Sequence, residues 1–142
     1  MSSTHHQYWM NKAIEVAKKG NTPFGALLVN NQKAYIEAYN TTKLDGPVAH
    51  AEINVIQKMS TLNFGKPMEL TLYTTVEPCP MCISAIVWAG IGQVVYGASI
   101  ADASQFGHQI HITSKEVIEK SWRQISLIGG VNQEHCLQLF KK

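Results

Sequence analysis

The chain has 142 residues, 45% of them hydrophobic and 15% charged, which is one domain's length with enough apolar material for a core. Twelve Lys and Arg against ten Asp and Glu leave a formal charge of +2, too mild to mark a polyanion partner, while the low charge fraction excludes intrinsic disorder. No run of about 18 apolar residues could cross a membrane, and the polar, amphipathic start MSSTHHQYWMNKAIEVAKKG lacks the pattern of a secretion signal. A single cytoplasmic domain spanning 1–142 is expected.

In chain order, a first helix is predicted over about residues 5–19. Trp9, Ala13, Ile14, Val16 and Ala17 form its apolar stripe, and Gly20-Asn21 ends it. The apolar run Phe24–Val29 reads as a buried strand, followed by a tight turn at Asn30-Asn31 and a second strand over Ala34–Ala38. A polar loop from Asn40 to Pro47 leads to a helix from about His50 to Met59. Leu70–Val76 is the third strand, Pro78–Ala89 a helix closed by Gly90, and Gln93–Gly97 the fourth strand. Residues 99–115 read as irregular, with a short helix over 115–122, a fifth strand at Ile125–Ile128 and a terminal helix over Gln133–Phe140. Strands joined through helices imply parallel pairs, and the opening hairpin adds an antiparallel one. The expected fold class is α/β, a mixed five-stranded sheet with helices on both faces.

Three cysteines are a poor disulfide framework. Cys79 and Cys82 form a C-x-x-C pair, which in a reducing compartment points to metal or redox chemistry. The pair stands at i and i+3, so both thiols share one helical face. Pro80 suits a first helical turn, which places them at a helix N-terminus, where thiolate is favoured over thiol.

A second segment, His50-Ala51-Glu52, opens the preceding helix. One His nitrogen and two thiolates make a three-ligand zinc site with a fourth position left to water. Residues i and i+2 diverge around a helix, so His50 and Glu52 converge on one ion only if it lies off the helix end. The combination resembles the H-x-E…P-C-x-x-C signature of zinc deaminases acting on nucleobases. Zinc lowers the pKa of a water from about 15.7 to about 7, and Glu52 would carry the proton to the ring and the leaving amine, worth about 10²- to 10⁴-fold. The competing readings are a redox C-x-x-C pair, and a closed structural zinc site with His135 or Cys136 as fourth ligand, a zinc-stabilised interaction domain. Cys136 otherwise reads as a buried hydrophobe, and His5, His6, His108 and His111 as surface or loop residues.

PFGALLV, the Asn40 loop, GPVAHAEIN, LYTTVEPCPMC and VVYGA resemble the cytidine deaminase superfamily, on the branch holding guanine, cytosine and tRNA adenosine deaminases. The resemblance runs from Pro23 to Gly97. It implies a three-layer α/β/α sandwich, Zn²⁺ held by His50, Cys79 and Cys82, and Glu52 as catalytic proton shuttle. It also implies substrate contacts from the Asn40 amide, the backbone of Ala51, the carbonyl of Glu77 or Pro78, and the rings of Phe24 and Trp88. Core packing explains Phe24 and Trp88 equally well. The implied enzyme is a hydrolase of cyclic amidines that releases ammonia, and the implied assembly a homodimer, with Ile83, Ile86, Val87 and Ile91 as interface or core.

A guanine-like free purine is the leading substrate, with cytosine or cytidine and the wobble adenosine of tRNA as alternatives. Guanine deaminases tend to carry acidic residues after a glycine–aromatic pair beyond the fourth strand. Here Asp102 is present but no acidic residue directly follows Gly107. A tRNA enzyme needs basic contacts to phosphates, and this chain has one arginine, Arg123, and only Lys141-Lys142 at its end.

Overall fold

The structure is a computed structural model that describes residues 3–59 and 66–141. Helix α1 (Ser3–Lys19) begins two residues before its expected start. It buries Trp9, Met10, Ala13, Ile14, Val16 and Ala17 along one face, the spacing of an amphipathic helix. Strand β1 (Gly25–Val29) is buried throughout, as its unbroken apolar sequence requires. Gly25 lies so close to α1 that a Cβ there would collide with the backbone of Ala13 and Ala17.

The expected two-residue turn is a longer loop, because strand β2 spans Tyr35–Tyr39. The Asn30 side chain accepts from Gln32 N at 2.9 Å and Ala34 N at 3.0 Å, and Lys33 adopts φ 67°. This side-chain-stabilised turn competes with the tight form. The polar loop contains a short helix, α2 (Thr42–Asp45), that periodicity could not show. Next come α3 (Ala51–Met59), a 3₁₀ turn at Pro67–Glu69, β3 (Thr71–Val76), α4 (Pro80–Ala89) and β4 (Gln93–Ala98). Gly90 ends α4 at φ 86°, the left-handed cap that glycine adopts without strain.

The stretch expected to be irregular holds α5 (Ile100–Ala103) and the start of α6 (Ser114–Glu119). Each opens with a capping box, Ser99 with Asp102 and Thr113 with Glu116. Strand β5 (Ser126–Ile128) and α7 (Gln133–Gln138) complete the chain.

The five strands lie in the order β2-β1-β3-β4-β5. β1 is antiparallel to both β2 and β3, and β3, β4 and β5 are parallel. Period-2 alternation divides the core. Leu27, Val29, Tyr73 and Val95 pack with α1 and Cys136 of α7, while Ala26, Leu28, Leu72 and Val94 pack with α3 and α4. The result is the expected α/β/α sandwich on a mixed five-stranded sheet. Ile83, Ile86, Val87 and Ile91 are 0–3% exposed and belong to this core, not to a surface. No helix among the described residues is long and apolar enough to cross a membrane.

Candidate active site

Two helices aim their N-termini at one point. His50 precedes α3, and its carbonyl accepts the first helical bond from Asn54 N at 2.9 Å. Cys79 is the N-cap of α4, accepting from Ile83 N at 2.9 Å. The His50 Nδ1 atom lies 3.8 Å from Cys79 Sγ and 3.5 Å from Cys82 Sγ. All three ligand atoms are within 4.8 Å of one another. A tetrahedral ion with Zn–S of about 2.3 Å and Zn–N of about 2.0–2.1 Å has N···S edges of about 3.5 Å, so the donor set fits zinc. His50 stands before the first turn of α3 and Glu52 within it, which is how side chains two residues apart reach the same place.

Glu52 is 6% exposed and accepts from Thr74 Oγ1 at 3.0 Å. Burial lifts its carboxyl above the ordinary carboxylate range. The Cys82 hydrogen bond, assisted by His50, holds the Cys79 thiol down to about 4. The thiol of Cys82, facing that thiolate and Glu52, is pushed up. A zinc ion would replace these shared protons, since both sulfurs bind as thiolates.

A cleft of about 450 Å³ opens onto this point, lined by Phe24, Asn40, Thr42, His50, Glu52 and Cys79, together with Glu77, His108, Gln109 and Ile110. It lies at the carboxyl ends of the parallel strands, where ligands of open α/β sheets bind. Asn40 Oδ1 accepts from Thr42 N and Oγ1, both at 3.0 Å, which leaves its Nδ2 to donate. Asn54 Nδ2 ties this loop to α3 by donating to Tyr39 O and Thr41 Oγ1, both at 2.9 Å. The Phe24 ring packs edge-on against Phe140, which stacks on Phe106, so the C-terminal end braces the cleft wall.

Ala51 is wholly buried between His50 and Glu52, and only its backbone could meet a substrate. Trp88 requires a correction: it does not line this cleft. It is 77% exposed and meets Trp122 at 4.7 Å between ring centroids. Six residues along α4 from Cys82 is about 9 Å away from the metal end. The carbonyl of Pro78 is already taken by Ser114 Oγ at 2.8 Å. Asp102 serves the α5 capping box and accepts from Gln133 Nε2 at 2.7 Å, outside the cleft lining. Cys136 is buried beneath Gly97, and His135 lines a separate groove beside α1. Among the described residues, neither joins the three-ligand group, so the closed four-ligand site is not formed.

Sequence reasoning missed His108, Gln109, Ile110 and the Glu77 side chain as parts of the site. For Glu77 the available signal was its position immediately after the carboxyl end of β3, and for His108–Ile110 their place in the segment that follows β4.

Residues 3–98 match the family model for the cytidine and deoxycytidylate deaminase zinc-binding region. The chain is 33% identical over 139 residues to the tRNA-specific adenosine deaminase of Bacillus subtilis, covering 94% of this chain and 84% of that one. It is 34% identical over 120 residues to the guanine deaminase of the same organism, covering 80% and 77%. The guanine deaminase structure from Nitrosomonas europaea superposes with a TM-score of 0.79 over 93% of this chain and 80% of that one, and at 20% identity that likeness speaks to the fold. With a zinc-compatible donor set at the base of a cleft and a family match across two thirds of its length, the chain belongs to the zinc-dependent cytidine and deoxycytidylate deaminase family, hydrolytic enzymes acting on nucleobases or nucleosides.

Proposed function

We propose that this enzyme deaminates a free, guanine-like purine base. The observation that carries the reading is the state of Arg123, the chain's one arginine. Its Nε donates to Val87 O at 3.1 Å and its Nη2 to Ile86 O at 2.9 Å. The guanidinium is therefore engaged in closing the C-terminus of α4 and is unavailable to an RNA backbone, for which bidentate arginine contacts are the favoured grip. The cleft itself offers two amides, an aromatic ring and the Glu52 carboxyl, groups that suit a planar neutral base better than a phosphodiester.

In this reading His50, Cys79 and Cys82 hold the zinc, which when bound acidifies a water so that it can attack at neutral pH. Glu52 would take one proton from the attacking water and deliver it to the ring nitrogen beside the amidine carbon, then take the proton of the added hydroxyl and pass it to the departing amine, so that the C–N bond breaks as the carbonyl forms. Asn40 donates from Nδ2 to an acceptor on the base edge, and Phe24 bounds the base on one side. His108, Gln109 and Ile110 supply a further part of the cleft lining.

The second reading is deamination of the wobble adenosine of tRNA, favoured by the similarity to the Bacillus subtilis tRNA enzyme over 94% of the chain. Ammonia release from zinc-loaded protein given guanine, cytosine, cytidine, adenosine or an anticodon stem-loop separates the two. Turnover of guanine that is lost in Glu52→Ala supports the proposal. Turnover confined to the stem-loop establishes the second reading instead.

We also propose that residues 1–142 form one domain that acts in the cytoplasm, where the zinc thiols stay reduced, and that two copies pair. Because Ile83, Ile86 and Val87 are internal, the exposed apolar surface left on this side is the Trp88–Trp122 pair, 77% and 64% exposed. Sedimentation of the protein and of Trp88→Ser tests the pairing, and a monomer in both excludes it.

A further inference from the structure

The cleft holds a second buried carboxylate, and its bonds differ from those of Glu52. Glu77 is 5% exposed. Its Oε1 accepts from Ile100 N at 2.9 Å and its Oε2 from Ser114 N at 2.9 Å. Those two amides open α5 and α6, and between these helices runs segment 104–113, which supplies His108, Gln109 and Ile110 to the cleft. Ser114 is itself fully buried, and its hydroxyl donates to Pro78 O at 2.8 Å. One side chain, two residues before the zinc ligand Cys79, thus holds both stems of the loop that lines part of the cleft.

We propose that Glu77 is a positioning and specificity residue: by clamping Ile100 and Ser114 it sets the spacing between wall 104–113 and the zinc ligands, and hence the affinity for substrate. Both of its oxygens are engaged by backbone N–H groups, so it is not a second proton carrier. The clamp is charge-assisted at both ends, and a buried amide deprived of its acceptor has no water to turn to. A wall displaced by a fraction of an ångström weakens binding before it alters the chemistry at the zinc end. This inference rests on the deaminase reading of the same cleft.

The test is Glu77→Gln, which keeps the size but can offer only one of the two acceptors and turns an NH₂ toward the other amide. In the zinc-loaded protein, the KM for guanine should rise about ten-fold or more, with kcat within about three-fold and one zinc per chain retained. Hydrogen exchange at Ile100 or Ser114 should quicken by about ten-fold or more, while amides of β3 and β4 keep their protection. A folded, zinc-loaded variant with unchanged KM and unchanged exchange overturns the proposal. So does a loss of kcat at constant KM, which would put Glu77 in the chemistry. If the parent enzyme does not turn over guanine, the substrate reading fails and the exchange result alone judges the clamp. If Glu77→Gln does not fold, exchange in the parent decides: protection at Ile100 and Ser114 matching the sheet supports the clamp, and rates like those of Gly107 and His108 overturn it.

Discussion

Arg123→Met tests whether the one arginine serves the fold. Methionine keeps an apolar stem of similar length, so the change removes mainly the guanidinium. Two hydrogen bonds disappear, to Val87 O at 3.1 Å and Ile86 O at 2.9 Å. Bonds from a charged donor contribute about 1.5–3 kcal/mol each, and the half-exposed site lets water replace part of that, so about 3 kcal/mol is lost for the pair. Against this, the Arg123 Nη1 is buried with no hydrogen-bond partner among the described residues, and its removal returns about 1 kcal/mol. The net cost is about 2 kcal/mol, or a fall in Tm of about 6 °C for a chain of this size. Differential scanning calorimetry of the zinc-loaded protein measures it, alongside kcat/KM, which should stay within about two-fold. An unchanged Tm would refute the assignment of Arg123 to the fold. A selective loss of activity on an anticodon stem-loop at unchanged Tm would show instead that the arginine grips RNA.

Three further outcomes are expected. Glu52→Gln should lower kcat by about 10²- to 10⁴-fold with zinc content measured by atomic absorption unchanged, and loss of the metal in that variant would assign Glu52 to the ligand shell. His6, half-buried with its Nδ1 2.8 Å from the Tyr73 hydroxyl, is held below its ordinary pKa of 6.5 by burial, with the neighbouring His5 adding to the effect. Its neutral form is thus favoured by folding, so its contribution is complete above pH 6.5 and is lost as the pH falls below that value. The decline of Tm between about pH 7 and 5 should be shallower in His6→Gln; identical pH profiles would show that His6 does not contribute. Gly25→Ala should destabilise by about 1–3 kcal/mol, because its Cβ meets the backbone of α1, which cannot rotate away as a side chain would. Urea denaturation with an unchanged midpoint would show that α1 shifts without cost.

The metal centre and the layer architecture were legible in the linear chain because each depends on short-range geometry. His50 and Glu52 flank one helix start, Cys79 and Cys82 another, and the rule that thiols at i and i+3 share a face needs no knowledge of the rest of the molecule. The strands announced themselves through unbroken apolar runs, and the helix α1 through its repeating stripe. The capping boxes at Ser99 and Thr113 are equally local signals, each set by residues three apart, and they start the two short helices within 99–115.

What tertiary structure decided is where residues far apart in sequence meet. Helix α4 is apolar on nearly all sides, so its pattern alone does not say that Ile83, Ile86 and Val87 face inward while Trp88 lies on the surface. Glu77 finds its two amides 23 and 37 residues away, and Arg123 finds its carbonyls 36 and 37 residues back. Local preference carries no information about such pairs, because they exist only once parallel strands have brought their connecting segments to the same end of the sheet. The sequence by itself therefore determined the donor set, a histidine and two cysteines fit for zinc with a glutamate beside them. The packing of the sheet decided which distant residues line the cleft beside it.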